Sequence, residues 1–188
     1  VLFRSHAKPN KSDYMGYDIA SSPTGDFTVM TLLEVTDTHK RIATIKRFRD
    51  TFDNQKRIFR QLIDLFNPRK VCIDATGLGE QQALELHKEF TGVEMVKFTF
   101  ATKMDMMMDL RREFESMNME IPNNKKDESY SLAQQLLTEL HDMALKVDMT
   151  GRNVNKFNSG KYDDMVMSLA LANKASINPF GAVSFRAV

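Results

Sequence analysis

Hydrophobic and polar positions alternate first over Tyr14–Ala20. Met15, Tyr17 and Ile19 fall on one side of an extended chain, and Gly16, Asp18 and Ala20 on the other, which is the two-residue period of a strand. Ser21–Asp26, with Pro23 and Gly25, reads as a turn. A β-rich run follows over Phe27–Val35, then a turn over Thr36–His39. A third strand over Arg41–Phe48 places Ile42, Thr44, Lys46 and Phe48 on one side. Connections this short predict three consecutive antiparallel strands.

The period then changes. Ile58, Phe59, Leu62, Ile63 and Phe66 form a helical stripe, with Asp53 as the expected cap and Asn67-Pro68 as the stop. Val71–Asp74 is a brief apolar run bounded by turn signals. Coming after a helix, it predicts a buried parallel strand. Thr76–Gly79 is a tight turn, Glu80–Phe90 a helix carrying Ala83, Leu84, Leu86 and His87, and Val93–Phe98 another strand. Lys103–Met117 is expected to be helical, with Met104, Met107, Met108, Phe114 and Met117 inward. Methionines at this spacing read as adaptable core. Met119–Pro122 reads as a short edge segment, and Asp127–Met143 as a helix packed through Leu132, Leu136, Leu137 and Leu140. Leu145–Met149 and Val154–Phe157 are expected to form a hairpin around Thr150–Asn153. A last helix spans Asp163–Lys174.

The expected fold class is α/β: a mixed central sheet, three antiparallel strands followed by parallel strands, flanked by helices. At 188 residues the chain is expected to hold one such domain over 13–176, with a linker or tail at 1–12 and a C-terminal tail at 177–188. It does not begin with methionine and is expected to be part of something longer. No apolar run approaches the roughly 20 residues of a membrane span, and Val1-Leu2-Phe3 is too short for a signal-peptide core, so no membrane partner is expected. The single cysteine, Cys72, excludes an internal disulfide framework and suits a reducing compartment. It reads as a small apolar residue.

Net charge is only +1, but its distribution is uneven. Between Lys40 and Arg60 stand Lys40, Arg41, Lys46, Arg47, Arg49, Lys56, Arg57 and Arg60 against Asp50 and Asp53. Such an excess is either a solvated face or a surface for a polyanion.

Three carboxylate positions stand out. Asp18 lies in the first strand, and Asp74 closes the buried strand at its carboxyl end, where open α/β sheets place their sites. Asp163-Asp164 open the last helix. Singly, each has a structural explanation: a strand-end turn for Asp18, an Asx turn for Asp74, and a helix cap with a first-turn acid for Asp163-Asp164. Jointly, with the first and fourth strands adjacent, they predict a cluster. Clustered carboxylates repel, and a divalent cation relieves the conflict. All-oxygen ligands select Mg²⁺ or Mn²⁺, and two such ions can hydrolyse a phosphodiester with water as nucleophile. Asp26 is a weaker candidate, an outer acid of the same cluster. Thr76-Gly77-Leu78-Gly79 lacks the Lys-Ser/Thr of a P-loop. His6, His39, His87 and His141 share no ligand spacing.

Three segments carry a family resemblance. Tyr17-Asp18-Ile19-Ala20 with Gly25–Val29, Ile73-Asp74-Ala75-Thr76-Gly77-Leu78-Gly79, and Tyr162-Asp163-Asp164-Met165 running on to Ala172 resemble the nuclease domain of tailed-bacteriophage terminase large subunits. The resemblance covers roughly residues 14–175. It implies a ribonuclease H-like fold and an Mg²⁺- or Mn²⁺-dependent endonuclease, with two ions expected, cutting concatemeric viral DNA around packaging. By motif position the ligands would be Asp18, Asp74 and one of Asp163 and Asp164. Asp164, inside the first helical turn, is preferred, with Asp163 as cap. Double-stranded DNA is the implied substrate, and the cytoplasm of the infected bacterial host the implied compartment. An ATPase motor is expected upstream in the full-length protein, with portal and small terminase subunit as further partners. That motor is absent from this chain. Phosphate contacts are expected among Lys46, Arg47, Arg49, Arg152, Lys156 and Lys161, with Lys56, Arg57, Lys125 and Lys126 as further candidates. The alternatives are a resolvase- or integrase-like strand-transfer domain and a non-catalytic nucleic-acid- or protein-binding domain of the same fold. A nucleotide-binding domain of the sugar-kinase type would need a second lobe, for which 188 residues leave no room.

Overall fold

The computed structural model describes residues 11–20, 24–148, 163–177 and 184–185. The turn at Thr150–Asn153, the strand expected at Val154–Phe157, and Arg152, Lys156 and Lys161 lie outside them. Three antiparallel strands come first: β1 (Ser12–Asp18), β2 (Thr28–Val35) and β3 (Lys40–Phe48). Then follow α1 (Phe52–Phe66), β4 (Lys70–Asp74), α2 (Glu80–Glu89), β5 (Phe90–Thr91), β6 (Val93–Val96) and α3 (Phe100–Glu115). The chain continues through β7 (Met119–Glu120), α4 (Tyr130–Asp148), α5 (Asp164–Ile177) and β8 (Ser184–Phe185).

The main sheet has the order β6-β4-β1-β2-β3-β7. The β1–β2 and β2–β3 pairs are antiparallel; β4 joins β1 in parallel, and β6 and β7 extend the two edges in parallel. The mixed sheet follows from the connections: turns link β1 to β2 to β3, whereas α1 carries the chain back over the sheet to β4. β5 pairs separately with β8, inside the stretch expected to be a tail.

Each face of the sheet carries its own core. On one face, Met15, Tyr17, Met30, Leu32 and Ile73 pack against Phe59 and Leu62 of α1 and Leu86 of α2. Tyr17 stacks on Phe59, which in turn meets Phe90 edge to face, with ring centroids 5.8 and 5.3 Å apart. On the other face α5 crosses β1, β2 and β4, with α3 and α4 packed beside it. From Met165 to Asn173 every residue of α5 is buried, so this helix is central and lacks a solvent face. Gly16 of β1 makes the close approach possible. A methyl group on its Cα would lie 2.0 Å from Ser168 O and 2.4 Å from Ala172 N.

Several expectations need correction. Strict alternation along β3 fails because a β-bulge shifts the register at Leu32/Leu33, leaving Ala43 unpaired. Ile42 and Ile45 therefore share the α5 face, while Ala43 and Phe48 pack on the α1 face. In α3 the inward positions are Met106, Met107 and Leu110, whereas Met108 and Met117 are 41% and 90% exposed. Methionines at 104, 106, 107 and 108 let periodicity fit more than one phase. Met117 lies past the helix end with φ 53°. Leu137 is likewise exposed. Residues 145–148 continue α4 and form no strand: three apolar residues at every second position are too few to separate the two periods. Thr51, not Asp53, occupies the N-cap of α1. Asp50 supports it, its Oδ1 accepting from Thr51 N at 2.7 Å and from Asn54 Nδ2 at 2.8 Å.

Candidate metal centre

β1 and β4 are parallel neighbours, with Tyr17 opposite Ile73. Asp18 and Asp74, the next residues, thus stand at adjacent carboxyl ends in mid-sheet. α5 begins at Asp164 and packs across both strands. Three segments distant in sequence bring their acids to one end of the sheet.

Electrostatics shows the convergence. Burial raises the Asp18 carboxyl well above its ordinary range, and the charges of Asp74, Asp164 and Asp163 raise it further, while Lys103 acts in the opposite sense. Asp74 is also raised by burial, against hydrogen bonds from Thr76 and the charge of Lys103. Its Oδ1 accepts from Thr76 N at 2.8 Å, so the Asx turn is present and engages that oxygen. Gly77, at φ 61°, then turns the chain away into a single 3₁₀ turn.

Asp164 is raised by burial first, then by Asp26 and Asp163; the Phe27 backbone N–H and Arg47 oppose the shift. Its Oδ2 is buried without a hydrogen-bond partner. Asp26 therefore borders the cluster beside Asp164. Asp163 takes the N-cap position, its carbonyl accepting from Met167 N at 2.8 Å. Its side-chain Oδ2 lies 2.9 Å from Lys103 Nζ.

The start of α5 has a cap from another helix. Glu139 Oε2 of α4 accepts from Met165 N at 3.1 Å and Val166 N at 3.4 Å. Arg47 of β3 lies 3.8 Å from Glu139 Oε1 and donates to Gln135 Oε1 at 2.8 Å. Arg47 and Arg49 flank the Phe27 ring, each guanidinium carbon within 3.9 Å of the centroid. Lys46, opposite Met30, belongs to the α1 face. Lys56 of α1 is paired with Glu89 of α2 at 2.6 Å. Arg57, Lys125 and Lys126 are not brought to the cluster by any described contact. His87 is engaged with Val93 O at 2.7 Å. The Cys72 thiol, fully buried, is pushed up to about 12.

Sequence reasoning did not single out Lys103, Glu139 or Phe27. Nothing in the sequence separates Lys103 from other surface lysines, or Glu139 from the acids of any amphipathic helix. Phe27 was legible only as a strand residue.

The donor set suits a hard divalent cation: carboxylate oxygens only, one of them buried and unpartnered, in a patch whose like charges oppose one another. The carboxyl groups are not drawn together as a finished cage. Among the described residues no three His, Cys, Asp or Glu side chains stand at ligating spacing. Lys103, on Asp163, supplies part of the compensating charge.

Solved structures share this fold. The large terminase nuclease from thermophilic phage G20c superposes with a TM-score of 0.61 at 21% identity, over 89% of this chain and 83% of that one. The large terminase of a second thermophilic bacteriophage gives 0.57 at 10% identity, covering 94% of this chain, which spans only 42% of that protein. The human cytomegalovirus terminase nuclease domain, in an Mn-soaked crystal, gives 0.50 at 12% identity, over 97% and 91% of the two chains. At these identities the likeness is one of fold. Among curated proteins no match is found. The family described as Terminase RNaseH-like domain matches residues 15–172, a span that runs from β1 into α5 and includes all four clustered aspartates. The chain belongs to the terminase RNase H-like domain family.

Proposed function

We propose that this chain is a metal-dependent DNA endonuclease that holds Mg²⁺ or Mn²⁺ through Asp18, Asp74 and Asp164 and cuts concatemeric viral DNA during genome packaging. The observation that carries the reading is the crowding of Asp18 by three other carboxylates, beside an Asp164 oxygen with no protein partner. Bound divalent ions, two in the expected arrangement, would supply a water of lowered pKa and charge stabilisation at the phosphoryl oxygens. The protein's part is to hold the ligands. Asp18 and Asp74 are fixed by paired strands, and Asp164 by a helix that cannot shift without disturbing the core. Thr76 orients the Asp74 carboxyl, leaving Oδ2 for a ligand. Lys103 pairs with Asp163, so Asp163 serves as a weaker ligand, and Asp26 as an outer acid only.

The family supports a role in the packaging machinery, and the soaked manganese of the cytomegalovirus domain supports the choice of ion. Double-stranded DNA is the substrate on this reading. An ATPase motor would precede the domain in the longer protein, portal and small subunit would be further partners, and the infected bacterium's cytoplasm is the compartment. No helix among the described residues is long and apolar enough to cross a membrane.

The test is plasmid nicking with Mn²⁺ and with chelator. Asp74→Asn should abolish Mn²⁺-dependent cutting, and Asp18→Asn likewise. Equal cutting by Asp74→Asn removes the proposal. The open spacing of the carboxylates favours one other reading, a DNA-binding domain of this fold without catalysis. That reading predicts no Mn²⁺-dependent rise in Tm, whereas a true site gains stability through linkage.

A further inference from the structure

Arg47 lies near the end of β3 and its side chain leaves one face of the sheet, while Arg49 stands just past the strand's last residue, Phe48. That face is the one on which α5 lies, since Val29, opposite Arg47, packs in the α5 core. The Phe27 ring is sandwiched between the two guanidinium groups, 3.9 Å from Arg47 Cζ and 3.8 Å from Arg49 Cζ. The two arginines are not equivalent. Arg47 is turned inward, with its side chain 12% exposed and engaged by Gln135 and Glu139. Arg49 is exposed, and among the described residues no carboxylate pairs with it. What holds it is the ring. The backbone N–H of that same Phe27 donates to the Asp164 carboxyl. One residue thus ties an unpaired guanidinium to a candidate metal ligand.

We propose that Arg49 grips a DNA backbone phosphate beside the carboxylate cluster and sets the register of the strand to be cut. The assignment rests on the endonuclease reading. A guanidinium held over a ring by its central carbon keeps N–H groups at its edge for a ligand, and that fork can meet two phosphate oxygens at once. The ring restricts the side chain before DNA arrives, so less freedom is lost on binding. The contact is to phosphate and carries no base preference. Arg47 is the support: it closes the other face of the ring and spends its own charge on Glu139.

The experiment measures the affinity of a fluorescent duplex for the wild-type chain, Arg49→Ala, Arg49→Lys and Phe27→Leu, in chelator, from about 50 to 200 mM salt. Mn²⁺ thermal shifts and nicking kinetics follow on the same proteins. Arg49→Ala should lower the slope of log K against log[salt] by about 0.9 and weaken low-salt binding about tenfold, one charge-assisted contact. Its Mn²⁺ thermal shift should be unchanged. Arg49→Lys should keep the slope but cut more slowly at saturating DNA, because charge is restored without the fork. Phe27→Leu should fall between wild type and Arg49→Ala. A slope and affinity for Arg49→Ala equal to wild type, or a wild-type chain with no salt-dependent binding, overturns the proposal. Loss of the endonuclease reading shows separately, as a wild-type chain with neither Mn²⁺ shift nor nicking.

Discussion

Gly16→Ala is the substitution on which the architecture of the site bears most directly. The added methyl would meet Ser168 O at 2.0 Å, Ala172 N at 2.4 Å and Leu171 Cβ at 2.9 Å. Two of these atoms are backbone of α5, so no side-chain rotation relieves the clash. Ordinary contact would require the helix to move off β1 by more than about 1 Å. That movement would also stretch the Ser168 hydroxyl from Gly16 O and Val29 O, each now at 3.1 Å. Overpacking in cores costs about 1–3 kcal/mol. A clash against fixed backbone belongs at the upper end, about 3 kcal/mol. Against a net stability of about 5–15 kcal/mol this is measurable without abolishing the fold. With a urea m-value of about 2 kcal/mol/M, the midpoint should fall by about 1.5 M. Gly77→Ala is the control. Gly77 has φ 61° but nothing within 4 Å of an added methyl, so its cost is conformational, about 1–2 kcal/mol. Because α5 carries Asp164, Gly16→Ala should also weaken the Mn²⁺ thermal shift, while Ser168→Ala, which opens no gap between helix and sheet, should not. A Gly16→Ala midpoint within about 0.3 M of wild type would refute the steric argument.

Other consequences can be checked on the same protein. The Asp18 carboxyl is raised by burial and by its acidic neighbours, so it favours folding while protonated and loses that contribution as pH rises through its raised value. In chelator, Asp18→Asn should therefore gain stability over wild type as pH goes from about 4 to about 8, read by thermal melts; a constant difference across that range rejects the cause. Lys103→Met removes the cation on Asp163, and should lower Tm in chelator near neutral pH while enlarging the Mn²⁺ shift. A smaller shift would mean that Lys103 supports ion binding. Glu139→Ala leaves two amides at the start of α5 without their acceptor and should cost about 2 kcal/mol in urea unfolding. Glu139→Gln, which retains an acceptor, should recover about half of that.

The sheet was legible because its signals were local. Short turns around Gly25 and Asp37 forced β1, β2 and β3 into a meander, and the apolar Val71–Ile73 after a helix required a parallel partner. Asp18 and Asp74 could be set side by side once those strands were neighbours. The failures share one physical origin. The bulge at Ala43 arises from the pairing of two strands, which no single-strand period records. The phase of α3 was ambiguous because four methionines in five residues offered several faces, and packing chose one. Lys103, Glu139 and Phe27 reach the cluster from separate elements, and each looks ordinary within its own segment. The pairing of Asp163 with Lys103 could not be read either, since the cap position is fixed by local sequence and the side chain's partner is not.

Why the acids stay together follows from where α5 lies. Asp163, Asp164 and Glu139 all crowd the start of one helix, where the macrodipole is worth only about half a positive charge. Asp18 and Asp74 add to the load, and Lys103 and Arg47 offset only part of it. Here Met165, Val166, Met167, Leu169 and Leu171 are all buried, and each large side chain contributes about 1.5–3 kcal/mol by leaving water. That burial works against the repulsion at the helix start. The close packing against Gly16 means the helix cannot relax outward without giving it up. Small residues along α5 and the glycine beneath it are therefore part of the electrostatics of the site. They hold like charges near one another at this end of the sheet, which Lys103 offsets in part.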